Sequence, residues 1–202
     1  IVVTVADQNL CPGTGSTYTL VIGCPTITVT NPGTASGTAG APFSQTFTQS
    51  GGVGNVSFTT SSTLPQGLTL NSNGTLSGTP QQTGTFPIVV NATDQNNCPG
   101  TGSTYTLVIG CPTITVTVPG ISSGTVGTGF SQSFTQSGGT GSVTFSTSST
   151  LPNGVTLNSN GTLSGTPTQS GTFPIVVKAT DSAGCMGTSS TYTLVISCQT
   201  IT

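Results

Sequence analysis

"STYTLVIGCPTITV", residues 103–116, occurs a second time at 16–29 without one change. A looser third copy, "SSTYTLVISCQTIT", stands at 189–202. Cys11, Cys98 and Cys185 are spaced by 87 positions, and so are Cys24, Cys111 and Cys198. "LPQGLTLNSNGTLSGTP" at 64–80 returns at the same offset as "LPNGVTLNSNGTLSGTP" at 151–167. Self-similarity at a fixed period marks a tandem architecture. The spacing predicts two complete units, 24–110 and 111–197. Residues 1–23 read as the C-terminal hairpin of a preceding repeat, and 198–202 as the start of a following one. The 202 residues are therefore expected to be a window on a longer array. In the alternative, neighbouring chains supply the missing strands in a head-to-tail polymer.

Within the opening stretch, "TYTLVI" puts Tyr105, Leu107 and Ile109 on one face, the alternation of a half-buried strand. The rest of the unit reads the same way between dense turn signals. "TITVT" alternates Ile27 and Val29 with Thr, and "NPGTASGTAG" reads as a loop. "PFSQTFTQS" carries Phe43 and Phe47, "NVSFTTS" carries Val56 and Phe58, and "FPIVVNATD" aligns Ile88, Val90 and Ala92. "LTLNS" and "TLSGT" flank Asn73-Gly74, a two-residue hairpin signal. Seven short strands in 87 residues, with no helical period, predict an all-β immunoglobulin-like sandwich. A β-helix fits less well, because its repeats are usually much shorter. The expected core is Phe47, Phe58, Val90, Leu107 and Ile109, with Phe134, Phe145, Val177, Leu194 and Ile196 as counterparts.

Composition narrows the function. Asp7, Asp94, Lys178 and Asp181 are the only charged side chains, and Glu, Arg, His and Trp are absent. An average soluble domain has about a quarter of its residues charged. One basic residue gives nucleic-acid binding no electrostatic footing. No apolar run approaches the roughly 20 residues of a membrane-spanning helix. The wealth of Val, Ile and Thr suits pleated sheets, not disorder.

Leu64-Pro65-x-Gly67-Leu68-Thr69-Leu70, Gly74-Thr75-Leu76-Ser77-Gly78-Thr79-Pro80, Gly84-Thr85-Phe86 and Ala92-Thr93-Asp94 resemble the bacterial "putative Ig" repeats. Those repeats are related to cadherin-like, dystroglycan-type modules. The second unit matches from Leu151 to Asp181. The resemblance implies tandem sandwiches of a bacterial cell-surface or secreted protein, often an adhesin, and implies no activity. The cysteines lie outside the family pattern.

The cysteines are read from sandwich geometry. Strand seven is about 23 Å long at 3.3 Å per residue, and a disulfide needs Cα atoms within about 7 Å. Cys98 stands before that strand and Cys111 after it, so the sequential pairing 98–111 is disfavoured. In a sandwich of this type the first strand starts at the same pole as the loop between strands six and seven. That predicts Cys24–Cys98 and Cys111–Cys185, with Cys11 and Cys198 bonding to neighbouring repeats outside the chain. Gly110-Cys111-Pro112 leaves no flexible linker, so the array is expected to be a stiff rod.

Catalytic chemistry finds no footing. A Ser or Cys nucleophile needs a base, usually His, and there is none. The three Asp fall at one site per unit, so no carboxylate pair forms. No catalytic residue, metal site or cofactor is expected. Asp94, Asn96 and Asn97 offer oxygens for calcium, but the ion generally wants several carboxylates, and a turn-forming Asp is the better reading. Asn55, Asn73, Asn91 and Asn160 lie in N-x-S/T sequons, which carry glycans only in a host with that machinery. Lys178 reads as a solvated side chain.

Two functions remain. One is a structural segment of an extracellular filament or surface stalk, whose partners are further copies of the same repeat. Disulfides fit that oxidising location. The other is an adhesin module that binds glycans or another cell surface. Tyr18, Tyr105 and Tyr192 fall on the presumed inward face, which counts against stacking on sugars.

Overall fold

A computed structural model describes residues 1–200. The N-terminal stretch forms one antiparallel pair, β1 (Thr4–Ala6) and β2 (Pro12–Thr14). The first repeat contains β3 (Thr28–Thr30), β4 (Ser36–Thr38), β5 (Phe43–Thr46), β6 (Thr48–Ser50), β7 (Ser57–Thr59) and β8 (Leu68–Leu70). It continues with β9 (Thr75–Gly78), β10 (Gly84–Ile88), β11 (Asn91–Thr93), β12 (Pro99–Thr101) and β13 (Tyr105–Gly110). Several are halves of one strand. β5 and β6 break at Phe47, whose N–H donates to Gly74 O at 2.9 Å. Four hydrogen-bonded ladders form, β3–β6, β5–β9–β8, β4–β13–β10 and β12–β11–β7; the continuity of β5 with β6, and of β10 with β11, groups them into two layers. The same pairings recur 87 residues on, for example Gly171–Ile175 against Tyr192–Ser197.

Each repeat has its own core, drawn from inward positions of both sheets. The alternation in β13 is strict: Tyr105, Leu107 and Ile109 are buried, and Thr106, Val108 and Gly110 are exposed. Phe47, Leu76, Ile88 and Val90 are among the other members of the first core, and Phe134, Leu163, Ile175 and Val177 among those of the second. Phe47 meets Tyr105 edge-on at 5.3 Å, and Phe134 meets Tyr192 the same way at 5.4 Å. The two Tyr hydroxyls donate to the carbonyls of Thr34 and Ile121.

Four sequence expectations need correction. The expected loop 31–40 contains β4, which lies parallel to β13 with Ser36 opposite Val108. Ser36-Gly37-Thr38 gives no apolar signal because backbone pairing alone holds it. Asn73-Gly74 does not make a two-residue turn. Asn71 N–H donates to Thr75 O and Gly74 N–H to Asn71 O, which leaves the three-residue loop 72–74 with Gly74 at φ +89°. That is a type I turn followed by a left-handed residue. Phe145 is only half-buried, unlike Phe58. Asn55 lines the same hollow as Phe58, and the counterpart of Asn55 in the second repeat is the shorter Ser142. Tyr18 is exposed, since residues 15–23 join no sheet among the described residues.

Gly78 of the Leu-Ser-Gly-Thr-Pro segment and Gly67 before it mark a close backbone approach. A Cβ on Gly78 would lie 2.0 Å from Gly67 O, and one on Gly67 would lie 2.1 Å from Thr79 O. Both residues also have positive φ, so side chains are excluded twice over.

Sheet edges are blunted without charge. Val89 N–H donates to Ser62 Oγ at 3.0 Å, and Val89 O accepts from Thr60 Oγ1 at 2.7 Å. Thr147 and Ser149 cap Val176 identically. Alternation along the strand turns the nitrogen of Pro87 to the same outer edge, where it has no proton to donate. This stretch of edge is thus covered by hydroxyls and proline instead of Lys.

Candidate functional site: the stapled pole

The polar chemistry of each repeat gathers at one pole. The turn between β11 and β12 has the same form as the 72–74 loop. Asp94 N–H donates to Cys98 O, Asn97 N–H donates to Asp94 O, and Asn97 has φ +61°. Leu10 occupies the same position at φ +63° and Gly184 at φ +81°. Asn and Gly tolerate this left-handed conformation more readily than Leu.

Asp94 organises the pole. Its Oδ1 accepts from the N–H groups of Asn96 at 2.9 Å and Cys98 at 3.0 Å, and its Oδ2 accepts from Val53 N–H at 3.0 Å. Asp181 repeats this with Ala183, Cys185 and Thr140 at 2.9, 2.8 and 2.7 Å. Asp7 binds the N–H groups of Asn9 and Cys11 at 2.8 and 3.0 Å. All three Asp of the chain therefore hold the backbone of the cysteine four positions on. Both oxygens of Asp94 and of Asp181, and Oδ1 of Asp7, are thus taken up by backbone N–H donors. Asn73 and Asn160, in two of the sequons, use their side-chain oxygens on Thr75 and Thr162 N–H.

Cys24 is bonded to Cys98 and Cys111 to Cys185, with Cα atoms 5.3 and 5.5 Å apart. Cys11 and Cys198 are free and exposed. Each bond ties the chain just before a repeat's first strand to the turn that Asp holds. The pole thus joins three segments: the start of β3, the loop before β7, and the β11–β12 turn. The sequence missed this carboxylate role. The recurring Asp-x-x-x-Cys spacing was its visible signal.

The second pole meets the first repeat at the junction. Ala183 packs against both cores, and Thr83 Oγ1 donates to Ala183 O at 3.4 Å. A Cβ on Gly40 would stand 2.7 Å from Thr140 Oγ1, so the Gly40 backbone lies close against the Thr140 side chain.

The N–H groups of Val53 and Cys98 hold the Asp94 carboxyl below its ordinary value of 3.8. A carboxylate with a depressed folded pKa stabilises above its unfolded pKa, and loses that contribution as pH falls through the folded value. The unfolding temperature of the first repeat should hold steady from neutrality to about pH 5. It should then drop as the pH passes below 3.8. Calorimetry across a pH series checks this, and a flat profile down to pH 2 would contradict it. An Asp94→Asn chain should start lower and lack that drop.

A surface hollow of about 290 Å³ is lined by Ser146, Thr147, Ser148, Val176, Lys178 and Thr188. It contains no aromatic face, and Tyr105 and Tyr192 are buried in the cores.

Comparison with known families places this architecture. The family described as "Putative Ig domain" matches residues 25–110 and again 112–197. The chain belongs to this family. A "Serine-rich adhesin for platelets" from Staphylococcus aureus (strain MRSA252) is 34% identical over 171 residues, covering 83% of this chain and 12% of the adhesin. A second S. aureus adhesin of that description aligns at the same identity over 7% of its length. The chain thus spans about a tenth of these relatives. Among solved structures, three N-terminal domains of the bacteriophage RB49 outer capsid protein Hoc align with 98% of this chain and 78% of theirs. The identity there is 11% and the TM-score 0.37. Fibronectin(III)-like modules of Clostridium thermocellum CbhA align with 84% of this chain and 94% of theirs, at 16% identity and a TM-score of 0.32. These putative Ig repeats contain no helix long and apolar enough to cross a membrane among the described residues.

Proposed function

We propose that the chain is a structural segment of an extracellular filament or bacterial surface stalk, a stiff disulfide-stapled rod with no catalytic role. The junction carries this reading. The repeats meet at Cys111-Pro112 without a linker, Cys111 is bonded into the second repeat, and Ala183 packs against both cores. Its partners are further copies of the same repeat, in one longer chain or in neighbouring chains of a fibre. Homology to a surface adhesin and the two disulfides support the extracellular setting. The near absence of charge fits a spacer better than a binding surface for nucleic acid or acidic ligands.

A second reading is an adhesin module that grips glycans or a cell surface. It draws on the description of the staphylococcal relatives and on the hydroxyl-lined hollow beside Lys178. Buried Tyr105 and Tyr192 weigh against it, because sugar sites usually present an aromatic face. Electron microscopy of the native material separates the two. Fibres of uniform width support the rod, and isolated stalks with distinct heads support the adhesin.

A further inference from the structure

The two disulfides change the covalent route through the chain. Cys24 is joined directly to Cys98, and only β12 and β13 separate Cys98 from Cys111. Cys111 is joined in turn to Cys185, and Met186–Thr188 and Tyr192–Ser197 lead on to Cys198. We propose that tension along the chain runs through this route alone and reaches, in each sandwich, only the last two strands after the bonded turn. Each bond spans 74 positions, so the 73 residues between its cysteines, 25–97 and 112–184, lie in closed loops that carry no load.

The consequence follows from the work that tension can do, which is force times gain in length. The 13 positions from Cys98 to Cys111 lie mostly in extended strand. A strand already rises about 3.3 Å per residue, against a limit of roughly 3.6 Å. Unravelling it lengthens a repeat by only about 4 Å on those figures. Tension therefore has almost no leverage on the folded state. Without the bond the load would pass through all 87 positions from Cys24 to Cys111. It would then fall on the short parallel pairing of β4 with β13, and unfolding would release roughly 250 Å per repeat. The inference concerns covalent connectivity and stands apart from the stalk proposal.

Pulling on the single chain tests it, with handles attached to the exposed thiols of Cys11 and Cys198. The oxidised chain should extend without any gain near 250 Å. A phosphine reductant is then added to the folded, tethered chain. It gives two electrons to each disulfide, leaves two thiols, and takes oxygen from water to become the phosphine oxide. Two length gains of roughly 250 Å should now appear, one per repeat. A Cys24→Ser/Cys98→Ser chain should show one of them without reductant. Gains of that size in the oxidised chain would overturn the proposal, and so would their absence after reduction.

Discussion

Replacing Cys24 and Cys98 together by serine should lower the unfolding temperature of the first repeat by roughly 20–30 °C. The bond closes 74 positions. Removing it returns loop entropy to the unfolded chain worth about 4.5 kcal/mol. A domain of this size is stable by about 5–15 kcal/mol in all. Cys98 is buried, so the loss of packing adds to the entropy. The second repeat keeps its own bond and serves as an internal reference in the same calorimetric scan. A shift of only a few degrees would mean that the bond constrains little in the unfolded chain. The double replacement is preferred to a single one, which leaves a thiol free to exchange.

Truncating Phe47 to alanine should cost about 3–5 kcal/mol. The ring is 1% exposed and contacts Tyr105 edge-on. It stands where β5 passes into β6, in the middle of the core, and its own N–H is committed to Gly74 O. Phe134→Ala should cost a similar amount in the second repeat, where the ring is 2% exposed. Phe145→Ala should cost less, since that ring is half-buried. Urea titration measures all three. Equal losses at Phe134 and Phe145 would contradict this account of the core.

Strong local signals made the strands legible. β13 alternates Tyr, Leu and Ile with Thr and Val, and its burial follows that pattern residue by residue. The fold class and the family likewise lay open in the repeat and in the Leu-Ser-Gly-Thr-Pro segment. Elements held only by backbone geometry were hidden. β4 has no apolar side chain to announce it, and its parallel partner lies 72 positions away in sequence, Ser36 against Val108. The turn at Asn73-Gly74 carries the right residues for two different hairpin loops. Only the pairing of Asn71 with Thr75 decides between them. At the pole, Asp94 reads as an ordinary turn residue. Its reach to Val53, 41 positions away, belongs to tertiary structure and leaves no local trace.

Disulfide mapping without reduction tests the central claim most directly. The chain has one Lys and no Arg, so trypsin is of little use. Pepsin in acid cuts near Tyr105 and Leu107, and so separates Cys98 from Cys111 without thiol exchange. The structure requires Cys24 joined to Cys98 and Cys111 joined to Cys185. Recovery of Cys98 joined to Cys111 would contradict the pole, the stapled junction and the load path together.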